Sequence, residues 1–250
     1  MSNILTSLDF TRPQSLVIGD IHGRYDLLCN ALELVDALSE KLPTNLIFLG
    51  DYIDRGGNSK MVIEKLRAYF NDNPNQNSKV ALMGNHEQMC IYAHNFSLFE
   101  EWIENGGDKT LESYNADHLP QSDLTFMSTM PIVAEDKNAI YVHAGINPYH
   151  SYDSDKQYPQ CLWIREEFFQ NAAKLNYPKP IIYGHTTRAK PEIHRDEFEV
   201  IVAVGIDTGA EFSDQLTLLQ IISEDEAGLD QFMTSWTITP KDTYPNAYFR

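Results

Sequence analysis

The 250-residue chain predicts an α/β fold, and three features carry that prediction. In its first half, short apolar runs alternate with longer segments of helical period, the pattern of strands joined by crossover helices. Several apolar runs close on a glycine beside a polar residue, as strands do where they leave a sheet. No linker rich in Pro, Gly or Ser divides the chain, so residues 1–250 are expected to form one domain, long enough to bury a full core.

Taken in order, "SLVIGD" reads as a strand ending near Ile18. "YDLLCNALELVDALSEKL" then sets Leu28, Leu32, Val35, Leu38 and Leu42 at helical spacing. "NLIFLGD" is the second strand, and Val62, Leu66 and Tyr69 mark the helix after it. "KVALMGN" is the third, followed by the helical "HEQMCIYAHNF". Residues 97–130 carry a helical pattern with breaks, and Asn105-Gly106-Gly107 predicts a helix stop. Beyond Pro131 strands dominate: "AIYVHAG", "PIIYGH", "FEVIVAVGIDTG" and "LTLLQII". The polar, tyrosine-rich and aperiodic stretch 147–160 predicts a surface loop, placed where it can also shape a substrate mouth.

Composition narrows the class. The apolar share of 42% and charged share of 22% are globular values. No 18-residue apolar run is present, so neither a membrane span nor a membrane partner is expected. The start "MSNILTSLDFTRPQ" lacks the basic-then-apolar order of a signal peptide. Cys29, Cys90 and Cys161 are widely spaced and unpaired in pattern, which suits reduced thiols in a cytoplasm. A formal charge of −17 repels polyanions, so long nucleic acid is an unfavourable partner.

The informative feature is a rhyme among strand exits. The first gives Gly19-Asp20-Ile21-His22-Gly23; the second gives Gly50-Asp51 and then Asp54-Arg55-Gly56; the third gives Gly84-Asn85-His86-Glu87. Later runs end at His143 and His185. In an α/β sheet such ends gather at one edge, where these folds bind ligands. Carboxylate, amide and imidazole form a mixed oxygen and nitrogen set that suits manganese, iron or zinc, and the lack of thiolates argues against a structural zinc site. Asp20, His22, Asp51, Asn85, His143 and His185 are too many for one catalytic ion, and about right for two ions about 3.5–4 Å apart sharing a carboxylate. His86, Asp54 and Arg55, with Arg165 a further candidate, remain for chemistry on an anion. His94, His118, His150 and His194 lack the strand-exit context and are assigned surface or helix positions without a site role.

"GDIHG", "GDYIDRG", "GNHE", "HAG" and "GH" resemble the signature blocks of the phosphoprotein phosphatase family, within the calcineurin-like metallophosphoesterase superfamily. The resemblance is strongest to its bacterial branch, which includes the phage lambda serine/threonine phosphatase. "WIENGG", "LWIRE" and "GIDTGAEFSDQLTLLQ" are similar to stretches of that branch. It runs from about residue 16 to 222, leaving the tail 223–250 without a family motif. Thr187 stands where relatives often carry proline, which leaves the local turn open.

The resemblance implies a central β-sandwich of mixed sheets flanked by helices. It assigns Asp20, His22 and Asp51 to one metal, and Asp51, Asn85, His143 and His185 to the other, with Asp51 bridging. It further implies phosphoester hydrolysis by a metal-bridging hydroxide. Arg55 and Arg165 would grip phosphate, Asn85 and His86 would also face the substrate, and His86 would protonate the leaving group. Asp54 would orient His86 and raise its pKa. The implied activity is that of a serine/threonine protein phosphatase with two divalent ions, manganese first and iron or zinc as alternatives, acting on phosphoproteins or small phosphoesters. Symmetrical hydrolysis of dinucleoside polyphosphates is the alternative, although those hydrolases typically lack an acid at position 54 and carry Asp where Glu87 stands. A non-catalytic phosphate-binding module is a minor one.

Overall fold

The computed structural model describes residues 5–71, 78–96, 98–175, 177–223 and 231–249. The chain begins with β1 (Leu5–Ser7) and β2 (Gln14–Ile18), followed by α1 (Tyr25–Ser39), β3 (Thr44–Phe48), α2 (Ser59–Asn71), β4 (Lys79–Ala81) and α3 (Asn85–Phe96). A helical excursion follows: α4 (Phe99–Trp102), a wide turn over Ile103–Gly107, α5 (Asp108–Tyr114) and α6 (Gln121–Ser128). Next come β5 (Val133–Glu135), β6 (Ile140–Val142), the short α7 (Gln160–Trp163) and α8 (Glu166–Phe169), and β7 (Ile181–Tyr183). The chain closes with β8 (Glu192–Arg195), β9 (Ile201–Gly205), α9 (Ala210–Ser213), β10 (Leu216–Ser223), β11 (Gln231–Ile238) and β12 (Thr243–Phe249).

Among the described residues the strands form two six-stranded sheets, ordered β1-β5-β6-β7-β9-β8 and β12-β11-β10-β2-β3-β4. Both are mixed: β2, β3 and β4 run parallel, as do β6, β7 and β9, with antiparallel neighbours beside them. Alternation along each strand explains the sandwich. Val17, Ile47, Val80 and Leu219 of one sheet meet Ala134, Tyr141, Ile182 and Val204 of the other in one apolar layer. Their neighbours Leu16, Ile18, Leu46, Phe48 and Leu218 belong instead to the helix-covered core with Leu27, Leu28, Val35, Val62 and Leu66. Strands buried on both faces read as unbroken apolar runs, which is why the sequence shows no period of two there.

The long helices lie where their spacing predicts, with one trim: α1 stops at Ser39, before Pro43, and leaves Leu42 half-buried beyond its end. At Asn105-Gly106-Gly107 the chain does not stop. It kinks at Gly106 (φ +100°), a conformation glycine adopts without strain, and resumes as α5. The tail, motif-free in sequence, supplies β11 and β12, which extend the second sheet from β10; residues 224–230 within it lie outside the described ones. Residues 1–4 of the N-terminal stretch likewise lie outside them.

At the amino ends of β2, β3 and β6 the two sheets are tied by Asp136, fully buried. It accepts from Ser15 Oγ (2.6 Å), Asn45 Nδ2 (2.9 Å), Tyr141 Oη (2.9 Å) and the backbone N–H of Asn138 and Ala139. Cys29, Cys90 and Cys161 are free thiols. Among the described residues no helix is long and apolar enough to cross a membrane.

Candidate metal centre and active site

Register places the site. Ile18 pairs with Phe48 and Phe48 with Ala81, so β2, β3 and β4 end level and release Asp20, Asp51 and Asn85 at one edge. In the facing sheet β6 and β7 run parallel and release His143 and His185. A further strand exit, at β9, delivers Asp207. The sequence reading left that residue unassigned, although "VAVGID" repeats the same pattern. Asp207 accepts from Gly209 N–H (2.8 Å) and from Thr187 Oγ1 (2.8 Å), so the threonine standing in place of proline is used to fasten its turn.

The backbone here is strained. His22, Asp51, Asp54, Arg55 and His185 all hold positive φ, between 43° and 70°, which L-residues adopt rarely and mostly where surroundings enforce it. At Asp51 it is Glu87 that enforces it. Its buried carboxylate takes the N–H groups of Asp51 (2.9 Å), Tyr52 (2.8 Å) and Gly84 (2.9 Å), stapling two strand exits to the first turn of α3. Burial and the nearby Asp51 push its pKa up to about 8, while those N–H groups pull it back. The sequence reading used Glu87 only to separate subfamilies and missed this role.

Two groups of ligand atoms result, each within 4.8 Å: His22, Asp51 and His86, and Asp51, His143 and His185. Asp51 is common to both, as a bridging carboxylate requires. Asn85 joins the second group, its Oδ1 lying 2.9 Å from both His143 Nε2 and His185 Nδ1. His143 Nδ1 donates to Leu49 O (2.9 Å) and His22 Nδ1 to Ile53 O (2.8 Å), leaving Nε2 of each facing the site. Asp20 stands apart from both groups. Its Oδ2 accepts from His185 N–H (2.9 Å), and its Oδ1 is buried without a partner, as is His185 Nε2. Buried lone pairs this crowded are what a pair of cations would satisfy, so the donor set fits divalent ions. The guanidinium of Arg55 already acts as a cationic stand-in, 3.1 Å from His22 Nε2 and 3.0 Å from His86 Nε2.

Electrostatics point the same way. Burial pushes His22 and His86 down to about 4, and burial with the adjacent His143 pushes His185 to about 2. Of the proposed ligands, His22 and His185 are therefore neutral, the form a metal ligand needs. Burial works against the charge on Asp51, yet its pairing with His143, whose own pKa Asp51 raises, holds the carboxyl well below the usual range. Asp20 goes the other way, raised by burial and by Asp207 and Asp51.

His86 Nδ1 lies 2.8 Å from Asp54 Oδ2, the pairing the resemblance implies. Arginine nitrogens cannot accept, so His86 Nε2 accepts from Arg55 and the ring proton sits on Nδ1, donated to Asp54. The expectation that Asp54 raises the pKa of His86 is not met. Burial dominates His86, and it also pushes Asp54 itself up to about 8, weakening the counter-charge. Arg55 is steered by Glu211 (2.9 Å), a nearly buried carboxylate on α9 that the sequence reading missed. Arg165 donates to Thr186 Oγ1 (2.7 Å) and His185 O (3.3 Å). Both arginines line one open cleft of about 620 Å³, with Glu104, Asn105, Thr186 and Phe212 at its walls.

The 147–160 loop is fastened by the buried Gln157, whose side chain bonds Asn147 N–H and the carbonyl oxygens of Asn147 and His150. At its end Tyr158 Oη accepts from Gln88 Nε2 (2.7 Å), on the helix that carries His86. His94 lies on α3, as expected, donating to Cys90 O and accepting from Leu119 N–H, whereas His194 lies on β8 and bonds Tyr183 Oη.

Residues 14–219 match the family model described as calcineurin-like phosphoesterase. The chain is similar to serine/threonine-protein phosphatase 1 of Salmonella typhimurium, 30% identical over 213 residues that span 82% of this chain and 90% of that protein. It is also similar to the asymmetrical bis(5'-nucleosyl)-tetraphosphatase PrpE of Bacillus cereus, 27% identical across 82% of this chain and 89% of that one. That relative is named asymmetrical, where the sequence expectation took the symmetrical reaction as its alternative. In fold it is similar to the crystal structure of a cold-active protein-tyrosine phosphatase from a psychrophilic Shewanella, with a TM-score of 0.60 at 14% identity, covering 98% of this chain and 82% of that one.

Proposed function

The chain belongs to the calcineurin-like phosphoesterase family, and on that premise we propose that it is a serine/threonine protein phosphatase. It is a metal-dependent hydrolase; two manganese ions are the proposed pair. One observation carries the reading: Asp51 is shared by two buried groups of ligand atoms, and the His86–Asp54 pair stands against the same carboxylate.

The family resemblance puts Asp20, which lies outside both groups of ligand atoms, in place of His86 beside His22 and Asp51 for one cation, and Asp51, Asn85, His143 and His185 would hold the other. When bound, the ions supply an activated water and Lewis-acid contacts to the phosphoryl oxygens. The chain's own groups do the rest. Arg55 and Arg165 each present a planar fork to phosphate oxygens, which lysine cannot reproduce, and Asn85 and His86 face the same substrate. With Nδ1 committed to Asp54, His86 presents Nε2 to the leaving oxygen, and a proton carried there is passed to the departing alkoxide. His86 and Asp54 are buried, which shields their side of that transfer from bulk water. The free thiols support a cytoplasmic setting.

A second reading, hydrolysis of dinucleoside polyphosphates, is favoured by the PrpE relative. Phosphate contacts separate the two. A monoester needs the ions, Arg55 and Arg165, whereas a dinucleotide needs further cations, which the −17 balance makes scarce. In manganese buffer, kcat/KM for phosphoserine or phosphothreonine peptides should exceed that for diadenosine tetraphosphate by at least about tenfold, roughly 1.4 kcal/mol of transition-state binding. Glu104 at the cleft favours peptides with basic flanks, a preference that salt should weaken. Faster turnover of the dinucleotide at limiting concentration would put the second reading first.

A further inference from the structure

The helical excursion over α4 and α5 reaches under the site and touches its acid–base pair. Trp102, fully buried, places its indole Nε1 3.0 Å from Oδ1 and 2.9 Å from Oδ2 of Asp54. Thr110 Oγ1 donates to Oδ1 at 2.7 Å. The same excursion accepts Arg55 N–H on Gly106 O at 3.1 Å. We propose that Trp102 and Thr110 are positioning residues for the leaving-group acid: they fix the Asp54 carboxylate so that its Oδ2 meets His86 Nδ1 and the imidazole turns Nε2 to the substrate.

Three observations separate this from ordinary packing. Indole N–H donates and never accepts, so both Asp54 oxygens are turned to it as acceptors, and Thr110 fixes Oδ1 a second time. The ring cannot turn away. A Cβ added at Gly107 would lie 2.5 Å from it, and Phe99 and His94 flank it at 6.0 and 5.4 Å between centroids. His94 is itself locked, donating to Cys90 O at 2.8 Å and accepting from Leu119 N–H at 2.9 Å. Finally, Asp54 has no cation on its own carboxylate among the described residues, so its orientation depends on Trp102, Thr110 and His86 alone.

The proposal rests on His86 as the acid, and the experiment tells the two failures apart. Trp102→Phe, Thr110→Val and His86→Asn are compared in the manganese-loaded enzyme on a phosphoserine peptide and on p-nitrophenyl phosphate, whose leaving group needs little protonation. Trp102→Phe should lower kcat on the peptide about tenfold, part of the about 10²–10⁴-fold that a general acid supplies. It should leave the aryl ester, KM and metal content near wild type. In a His86→Asn background it should add nothing. Should Trp102→Phe not fold, Thr110→Val must show the same selectivity and Thr110→Ser must restore activity. Equal losses on both substrates in the Trp102 or Thr110 variants, with a selective loss in His86→Asn, overturn the positioning role alone. An unselective loss in His86→Asn overturns the acid assignment and the proposal with it.

Discussion

Gly84→Ala tests the claim that Asp51, the carboxylate common to both groups of ligand atoms, is held by close backbone approach. A Cβ at position 84 would lie 2.2 Å from Asp51 Oδ1, 2.4 Å from Asp51 N and 2.8 Å from Glu87 Oε2. Ordinary contact begins at 3.4 Å, so Oδ1 must retreat by 3.4 − 2.2 = 1.2 Å. The backbone nitrogen is equally close, so a side-chain rotation does not relieve the clash and the strand exit itself must move. Overpacking of this kind costs about 1–3 kcal/mol, read as a lower urea midpoint at constant slope. Asp51 serves both groups of ligand atoms, so both ions should bind more weakly, and a misplacement of about 1 Å should cost on the order of 10²-fold in kcat. Gly57→Ala is the control, because nothing lies within 4 Å of a Cβ there. It should stay within about 0.5 kcal/mol of wild type and keep full activity. Wild-type metal binding and turnover in Gly84→Ala, or equal damage in Gly57→Ala, would refute the reasoning.

The metal prediction is that the protein takes up about two manganese ions per chain, and that His185→Ala or Asp51→Asn loses metal and activity together; full activity after exhaustive chelation and dialysis would defeat it. At the opposite edge, Asp136→Ala strands five buried donors and should cost about 3–5 kcal/mol in urea unfolding while the folded fraction keeps its kcat. A matching loss of kcat would mean that this edge is coupled to the site.

The candidate metal ligands were legible because their signal is local. An apolar run ending in glycine and then Asp, Asn or His needs no knowledge of what lies opposite; Asp20, Asp51, Asn85 and His185 show it, and His143 ends its apolar run directly with Gly145 two positions on. Asp207, one residue further from its glycine in Gly205-Ile206-Asp207, carries a weaker form of the same signal. The helices beside the strands were legible for the same reason, since Val35 and Leu38 repeat within one element. The division of strands between two sheets was not. Val17 and Ile182 face one layer while Leu16 and Tyr183 face the helix-covered core, and all four look alike in an apolar run.

Orientation is the part that sequence hides, because it is set by distant partners. Trp102 lies 48 positions from Asp54 and Thr110 lies 56 away, and neither belongs to a strand exit. Glu211 reaches Arg55 across 156 positions. The pKa of His86 is hidden likewise, since it depends on a burial that no spacing reveals. The asymmetry has a physical root. A ligand is named by its donor atom, which a residue carries wherever it sits. A ligand's direction is fixed by donors and acceptors that arrive only when the chain has closed. The strained φ angles at His22, Asp51, Asp54, Arg55 and His185 follow from that order of causes. Local preference alone would relax each of them, and contacts such as Glu87 on Asp51 N–H, Thr110 on Asp54 and Gly106 O on Arg55 N–H hold them in place.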